Sequence, residues 1–98
     1  MNDTRTPIDT SLIPAISQGF RLQFEESQDT WVLLYPEGMV KLNQSAAEIM
    51  KRCDGKRNIL QVVAQLESDF KESNLQNDVI GFLEVATEQK WIVMNTSE

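Results

Sequence analysis

Few side chains in this sequence could support catalysis. Glu25 and Glu26 are adjacent and Glu37 follows the next apolar run, which makes them the closest approach to an acid-base pair. Adjacent residues of a strand face opposite sides of a sheet, and no second catalytic group accompanies these carboxylates. Cys53 is the only cysteine, no CxxC spacing exists, and the chain has no histidine, the commonest general base and nitrogen ligand of metals. The sequence therefore predicts a protein that is not an enzyme and that holds no metal or cofactor.

Length and composition predict one folded domain. The chain has 98 residues, enough for a single core, and 41% of them are hydrophobic. No apolar run approaches the ~18 residues that span a bilayer, and the N-terminal segment lacks the apolar stretch of a signal peptide. We therefore expect a cytoplasmic protein with no membrane partner. The formal net charge of -6 argues against a nucleic-acid partner, because affinity for phosphates rests mainly on Lys and Arg.

The first elements are predicted to be two strands. Phe20, Leu22 and Phe24 alternate with polar residues, which is the period of a strand with one buried face. Full burial of Phe24 would make it sensitive to truncation. Residues 31–35 are apolar at every position, and this pattern indicates a strand that is covered on both faces.

A tight turn and a short third strand follow. Tyr35 to Gly38 predict a type I turn, with Pro36 at its second position and Gly38 in the left-handed conformation that commonly follows. If strand order follows chain order, the third strand lies at the sheet edge, where its free N–H and C=O groups could pair with a peptide. Parity alone leaves open which side chains of this strand face the core: Met39 with Lys41, or Val40 with Leu42.

The period becomes helical at Asn43. This residue can cap a first helix, and Ser45 with Glu48 offers an alternative capping box two residues later. Cys53 lies on the apolar stripe of this helix and is predicted to be a small buried hydrophobe. Asp54-Gly55 supplies a left-handed stop.

Two further helices are predicted, over residues 58–70 and 77–89. Asn58 can cap the second helix, with Gln61 at its third position. Residues 91–94 then form a short strand or tail. The inward faces consist of apolar residues at helical spacing: Ile59, Val62, Val63, Leu66 and Phe70 on the second helix, and Val79, Phe82, Leu83 and Ala86 on the third.

This order of elements predicts an α+β domain that resembles a winged helix, with a three-stranded antiparallel sheet followed by three helices. We place a flexible arm at residues 1–18, although Leu12, Ile13 and Ile16 could pack on the body, the domain at 19–94, and a tail at 95–98. The third helix is too acidic to read DNA. One class of function open to such a domain is an acidic adaptor that contacts folded proteins.

The same residues resemble a known family. The run FRLQFEESQDTWVLLYPEGMVKLNQSAAEIMKRCDG, with Asp78-Val79, Phe82-Leu83 and Trp91-Ile92 after it, strongly resembles PqqD of pyrroloquinoline quinone (PQQ) biosynthesis. The resemblance covers residues 8–94. LLYPEGMVKLN and the CDG helix stop are its most specific parts.

The resemblance implies a peptide chaperone. The sequence leaves open whether it is a monomer or a homodimer. It would bind the precursor peptide PqqA and present it to PqqE, a radical S-adenosylmethionine (SAM) enzyme that cross-links a Glu and a Tyr of that peptide. In this family the peptide adds a strand beside the third strand and packs on the third helix. An apolar helical stripe is more often core, but the resemblance favours a groove lining for part of it. The candidate peptide-binding residues are therefore Met39, Val40, Lys41, Leu42, Asn43, Val79, Phe82, Leu83 and Ala86.

Overall fold

The computed structural model describes residues 8–96. Within this range the chain forms two antiparallel sheets and three helices. The elements, in chain order, are β1 (Ile13–Ile16), β2 (Arg21–Glu25), β3 (Thr30–Tyr35), β4 (Gly38–Leu42), α1 (Gln44–Lys51), α2 (Ile59–Phe70), α3 (Gln76–Glu88) and β5 (Ile92–Asn95).

The three predicted strands form one antiparallel sheet in the order β2-β3-β4, and three helices follow it. The predicted α+β class, with its three-stranded sheet and three helices, is therefore confirmed. At the centre of β3, Val32 and Leu33 point to opposite faces and both are 0% exposed, as predicted for a strand covered on both sides. Phe24 lies on the same face as Leu33 but near the end of the sheet, where it packs edge-on to Trp31 and stays 40% exposed. The predicted strand parity is confirmed, and Phe24 does not meet the condition of full burial.

The β3–β4 hairpin has a two-residue loop, Pro36-Glu37, closed by the pair of Tyr35 and Gly38. Gly38 is the first residue of β4 and has no positive φ, so the predicted left-handed conformation is wrong. The proline fixes its own φ near -65°, which excludes the primed turns, and the hairpin closes directly on Gly38.

Residues 13–16 differ from the expectation of a loosely docked arm. They form β1, which pairs with β5 in a second, two-stranded sheet. Backbone bonds from Gly55 N to Pro14 O (3.0 Å) and from Ile59 N to Leu12 O (3.0 Å) fix this segment to the start of α2. A proline is tolerated here because a two-stranded sheet consists of edges only. The first seven residues of the arm lie outside the described residues, as do the last two of the predicted tail.

The helix starts follow the sequence signals closely. The Asn43 side chain accepts from Ala46 N at 2.8 Å, so this residue, and not Ser45, caps α1. Asn58 and Gln61 form the predicted reciprocal capping box of α2. α1 ends at Lys51, before Gly55, which has a φ of 77° and shapes the turn into α2.

One core joins the sheet to all three helices, and its largest fully buried side chains include Leu33, Met50, Ile59, Leu83 and Ile92. Phe70 was predicted to face this core but is 43% exposed, because it is the last residue of α2 and lies beside the Arg52 guanidinium, 5.7 Å from its ring. Arg52 also joins α1 to α2 through Glu48 (2.9 Å) and Asp69 (2.6 Å).

Candidate functional site

β4 is an edge strand. It pairs with β3 on one side, and β5 pairs with β1 in the other sheet, so no strand within residues 8–96 covers its second side. The two-residue loop Pro36-Glu37 makes Tyr35 and Gly38 a hydrogen-bonded pair. In an antiparallel hairpin, hydrogen-bonded and non-hydrogen-bonded pairs of residues then alternate away from the loop. Val40 therefore bonds with Leu33, whereas the N–H and C=O groups of Met39 and Lys41 point away from β3.

An independent contact supports this alternation. The Thr30 hydroxyl donates to the Leu42 carbonyl oxygen at 3.2 Å, which places that carbonyl on the β3 side of the strand, as the pattern requires. Only alternate residues of β4 thus offer backbone groups outward. An incoming strand would form its main-chain bonds with two residues, Met39 and Lys41.

The side chains of β4 resolve the parity that the sequence left open. Leu42 is buried and Val40 is partly buried against the core. Met39, at 44% exposure, and Lys41 lie on the opposite, outer face of the sheet. An incoming strand would therefore meet apolar side chains on the core side and a methionine and a lysine on the other.

A groove of about 330 Å³ lies between the C-terminal half of β4 and α3. Phe82 and Trp91 line it together, with ring centroids 6.4 Å apart. Asp78, in the first turn of α3, is its one acidic lining residue. The complete lining is Lys41, Leu42, Asn43, Ser45, Ala46, Ile49, Asp78, Phe82 and Trp91.

The structure brings together only part of the predicted set of peptide-binding residues. Lys41, Leu42, Asn43 and Phe82 line the groove. Met39 and Val40 belong to the adjoining strand but do not line it. The remaining predicted residues are fully buried in the core and have no surface in the groove: Val79, Leu83 and Ala86.

Several groove residues were not among the predicted set, and three of them are Ile49, Asp78 and Trp91. Trp91 follows the last helix, and its proximity to the edge strand depends on how α3 packs. Asp78 has one sequence signal, since an acidic residue in a first helical turn interacts favourably with the helix dipole and marks an exposed helix start.

Two titratable groups in or just after α1 have shifted pKa values. Burial, with the nearby Asp54 carboxylate, raises the pKa of Cys53 to about 12, so its thiol stays protonated. Burial acts to raise the pKa of Glu48, but hydrogen bonds from Arg52 and Lys51 outweigh it and lower the pKa overall. No group of three or more potential metal ligands occurs in the described part of the chain. Nor does any helix among residues 8–96 have the length and apolar character to cross a membrane.

Comparison with known proteins identifies the family of this chain. Two similar proteins are both named PqqA binding protein. The one from Pseudomonas aeruginosa (strain UCBPP-PA14) is 53% identical over 81 residues, 82% of this chain and 88% of the relative. The one from Azotobacter vinelandii (strain DJ / ATCC BAA-1303) is 52% identical over 84 residues, 85% of this chain and 91% of the relative.

A solved structure has the same fold. It is the solution NMR structure of the PqqD truncation of Methylobacterium extorquens PqqCD, described as a functional, stand-alone recognition element for ribosomally synthesized and post-translationally modified peptides (RiPPs). It matches with a TM-score of 0.73 at 24% identity, over 87% of this chain and 93% of that one. The family model for coenzyme PQQ synthesis protein D matches residues 30–92. This chain therefore belongs to the PqqD family.

Proposed function

We propose that this protein binds the precursor peptide of PQQ synthesis, PqqA, as a strand added to β4, and presents it to the radical SAM enzyme PqqE. The observation that carries the proposal is the free edge of β4, where Met39 and Lys41 direct their backbone groups outward beside the groove. The names of the relatives support the choice of peptide, since they are called PqqA binding proteins and align with more than four-fifths of this chain.

The edge supplies affinity through the backbone. A strand paired with Met39 and Lys41 would form up to about four main-chain hydrogen bonds, each with a net contribution of about 0.5–1.5 kcal/mol. Because backbone bonds read no sequence, specificity would come from side chains that alternate along the peptide. Every second peptide side chain would face the groove and contact Phe82 and Trp91.

In this role the protein would be a carrier with no chemistry of its own. Its one thiol is buried and protonated. Cross-linking of the peptide would belong to the enzyme, and this protein would hold the peptide in an extended form for it. Because such a peptide would be made on ribosomes, this step would take place in the cytoplasm.

An amide-shift titration tests the binding step. Uniformly ¹⁵N-labelled protein is titrated with the precursor peptide, and a peptide of the same composition in scrambled order serves as the control. We expect the largest shifts at the amides of Met39 and Lys41 and around Phe82, with small shifts at the exposed face of α2. Shifts confined to the β1–β5 sheet would contradict strand addition at β4.

A second measurement tests presentation. The peptide is incubated with PqqE and its reductant, with and without this protein, and the cross-linked product is followed by mass spectrometry. We expect no product with this protein alone and faster product formation when it is added to the enzyme. Product formed by this protein without the enzyme would contradict the assignment as a carrier.

A further inference from the structure

A second concave surface, which we call the helix cleft, lies where the start of α1, the end of α2 and the start of α3 meet. Its volume is about 290 Å³. Four apolar side chains and three acidic ones line it together with Gln44 and Ser45: Leu66, Phe70, Leu75 and Val79, and Glu48, Glu72 and Asp78. The lining contains neither lysine nor arginine.

Two of the three carboxylates are uncompensated. Glu48 is neutralised by Arg52 at 2.9 Å and by Lys51 at 3.1 Å. Glu72 and Asp78 form no ion pair or side-chain hydrogen bond with any residue from 8 to 96. Asp78 also stabilises the start of α3 through the helix dipole, but Glu72 lies outside the helix and gains nothing from it. The cleft therefore combines an apolar floor with two negative charges at its rim.

The walls of the cleft are held in place. The Glu67 carboxylate accepts a hydrogen bond from Leu75 N at 3.0 Å, and Glu72 N donates to Glu67 O at 3.0 Å, so the α2–α3 connection is tied to α2. Phe70 keeps 43% of its surface exposed although Arg52 lies 5.7 Å from its ring. A partly exposed aromatic ring that shares a cleft with two carboxylates suits a basic side chain, because the aliphatic stem of that side chain can pack on the ring and its head can pair with the acids.

The helix cleft adjoins the β4 groove. Ser45 and Asp78 line both surfaces, and they lie at the end of β4 where Leu42 leads through Asn43 into α1. A peptide paired with Met39 and Lys41 that continues beyond this end of the strand would pass Asp78 and enter the cleft. An extended chain advances about 3.3 Å per residue, so only a few further residues are needed to do so.

From these observations we infer that the helix cleft binds the part of the precursor peptide that continues beyond the added strand, through a lysine or arginine between Glu72 and Asp78 with its stem against Phe70. This inference rests on the proposed function and deepens it. It names a second contact region on the same partner and a charge that the peptide must carry there.

Charge-neutral isosteres test the inference with little risk to the fold. In the double variant Glu72→Gln/Asp78→Asn we expect affinity for the precursor peptide to fall about 3- to 10-fold at low salt, as exposed ion pairs are individually weak. The difference should shrink as salt is added, because salt screens such pairs. The matched control, Glu26→Gln/Glu88→Gln, removes the same charge from exposed positions outside both lining sets and should bind as the wild type does.

Peptide variants then identify the partner charge. Each Lys or Arg of the peptide is replaced in turn by Gln, and one replacement should weaken binding to the wild type but leave binding to the double variant unchanged. A precursor peptide without any basic residue, or equal losses with both proteins for every replacement, would overturn the inference.

Different binding results would refute peptide binding at the cleft and the proposed function. If the double variant binds as the wild type does while Lys41→Pro weakens binding, the cleft is not a contact and the edge strand remains the site. If Lys41→Pro also binds with wild-type affinity, the proposed strand addition fails as well. Thermal unfolding of every variant, with a midpoint near that of the wild type, establishes that the fold is kept.

Discussion

Proline substitutions in β4 distinguish the side of this strand that bonds to β3 from the side that is free. Val40 and Lys41 are neighbours in sequence, yet the register directs the N–H of Val40 toward β3 and that of Lys41 toward the free edge. Proline removes one backbone donor and its ring crowds the partner on that side. Val40→Pro should therefore destabilise the fold, whereas Lys41→Pro should keep the fold and weaken peptide binding.

The structure sets the size of each effect. Val40→Pro removes the bond to Leu33 and leaves the carbonyl of a fully buried residue unpaired, which together cost about 2–4 kcal/mol of unfolding free energy. Lys41→Pro breaks no bond within the sheet, so its stability should change by less than about 1 kcal/mol. Loss of one hydrogen bond to the bound peptide, together with steric crowding of the adjacent hydrogen bond, should cost about 1–3 kcal/mol of binding free energy, roughly a 5- to 150-fold rise in Kd.

Two measurements are enough for this test. Thermal unfolding followed by circular dichroism gives the stability, and titration with the precursor peptide, by calorimetry or fluorescence anisotropy, gives the affinity. Lys41→Ala is the control for the side chain, because it keeps the N–H, and it should bind within a few-fold of the wild type. If Lys41→Pro is folded and binds like the wild type, β4 is not the docking edge; if Val40→Pro is as stable as the wild type, the register is misassigned.

Three further predictions concern the body of the domain. Phe24→Ala should cost only about 1–2 kcal/mol in unfolding free energy, since the ring is 40% exposed, and a loss near 4 kcal/mol in denaturant titration would show that it is buried. The Arg52 contacts lower the pKa of Glu48 and Asp69 in the folded state. The stability that these contacts supply is therefore fully present above the ordinary carboxyl pKa, and it is lost as the pH falls through the lowered pKa values of the folded protein. The Tm difference between wild type and Arg52→Gln should accordingly be largest at neutral pH and shrink below about pH 4, and a pH-independent difference would contradict this. Cys53 should not react with a thiol reagent at pH 8 until the protein unfolds, because burial raises its pKa to about 12; rapid labelling of the native protein would refute the burial.

Local signals in the sequence determined the elements from residue 20 to residue 89. Asn43 and Asn58 cap their helices as predicted, because a capping side chain bonds to an amide only three residues away and needs no distant partner. The alternation in β2 and the continuous apolar run in β3 likewise predicted the sheet, since the period of two reports which faces are buried. The position of β4 at the sheet edge followed from chain order in a short meander.

The groove could not be predicted from local sequence signals, because it forms through contacts between distant parts of the chain. β1 was missed because it exists only through its pairing with β5, some 80 residues away in sequence, and the proline in it gives no local strand signal. The apolar stripe of α3 did not show which of its residues belong to the core and which line the groove, because both surfaces are apolar. Packing of the helix buries Val79, Leu83 and Ala86 and leaves Phe82 beside β4.

The sequence by itself thus determined the order of the elements, their caps and the family resemblance, all of which are set by residues near one another or by the whole pattern of the chain. Only the tertiary structure decided which backbone groups of β4 are free and which side chains surround them. The direction of the Lys41 N–H depends on the hairpin register, and the meeting of Asp78, Phe82 and Trp91 with that strand depends on how α3 packs on the core. Both are set by pairing and packing between separate segments, which no local pattern of residues encodes.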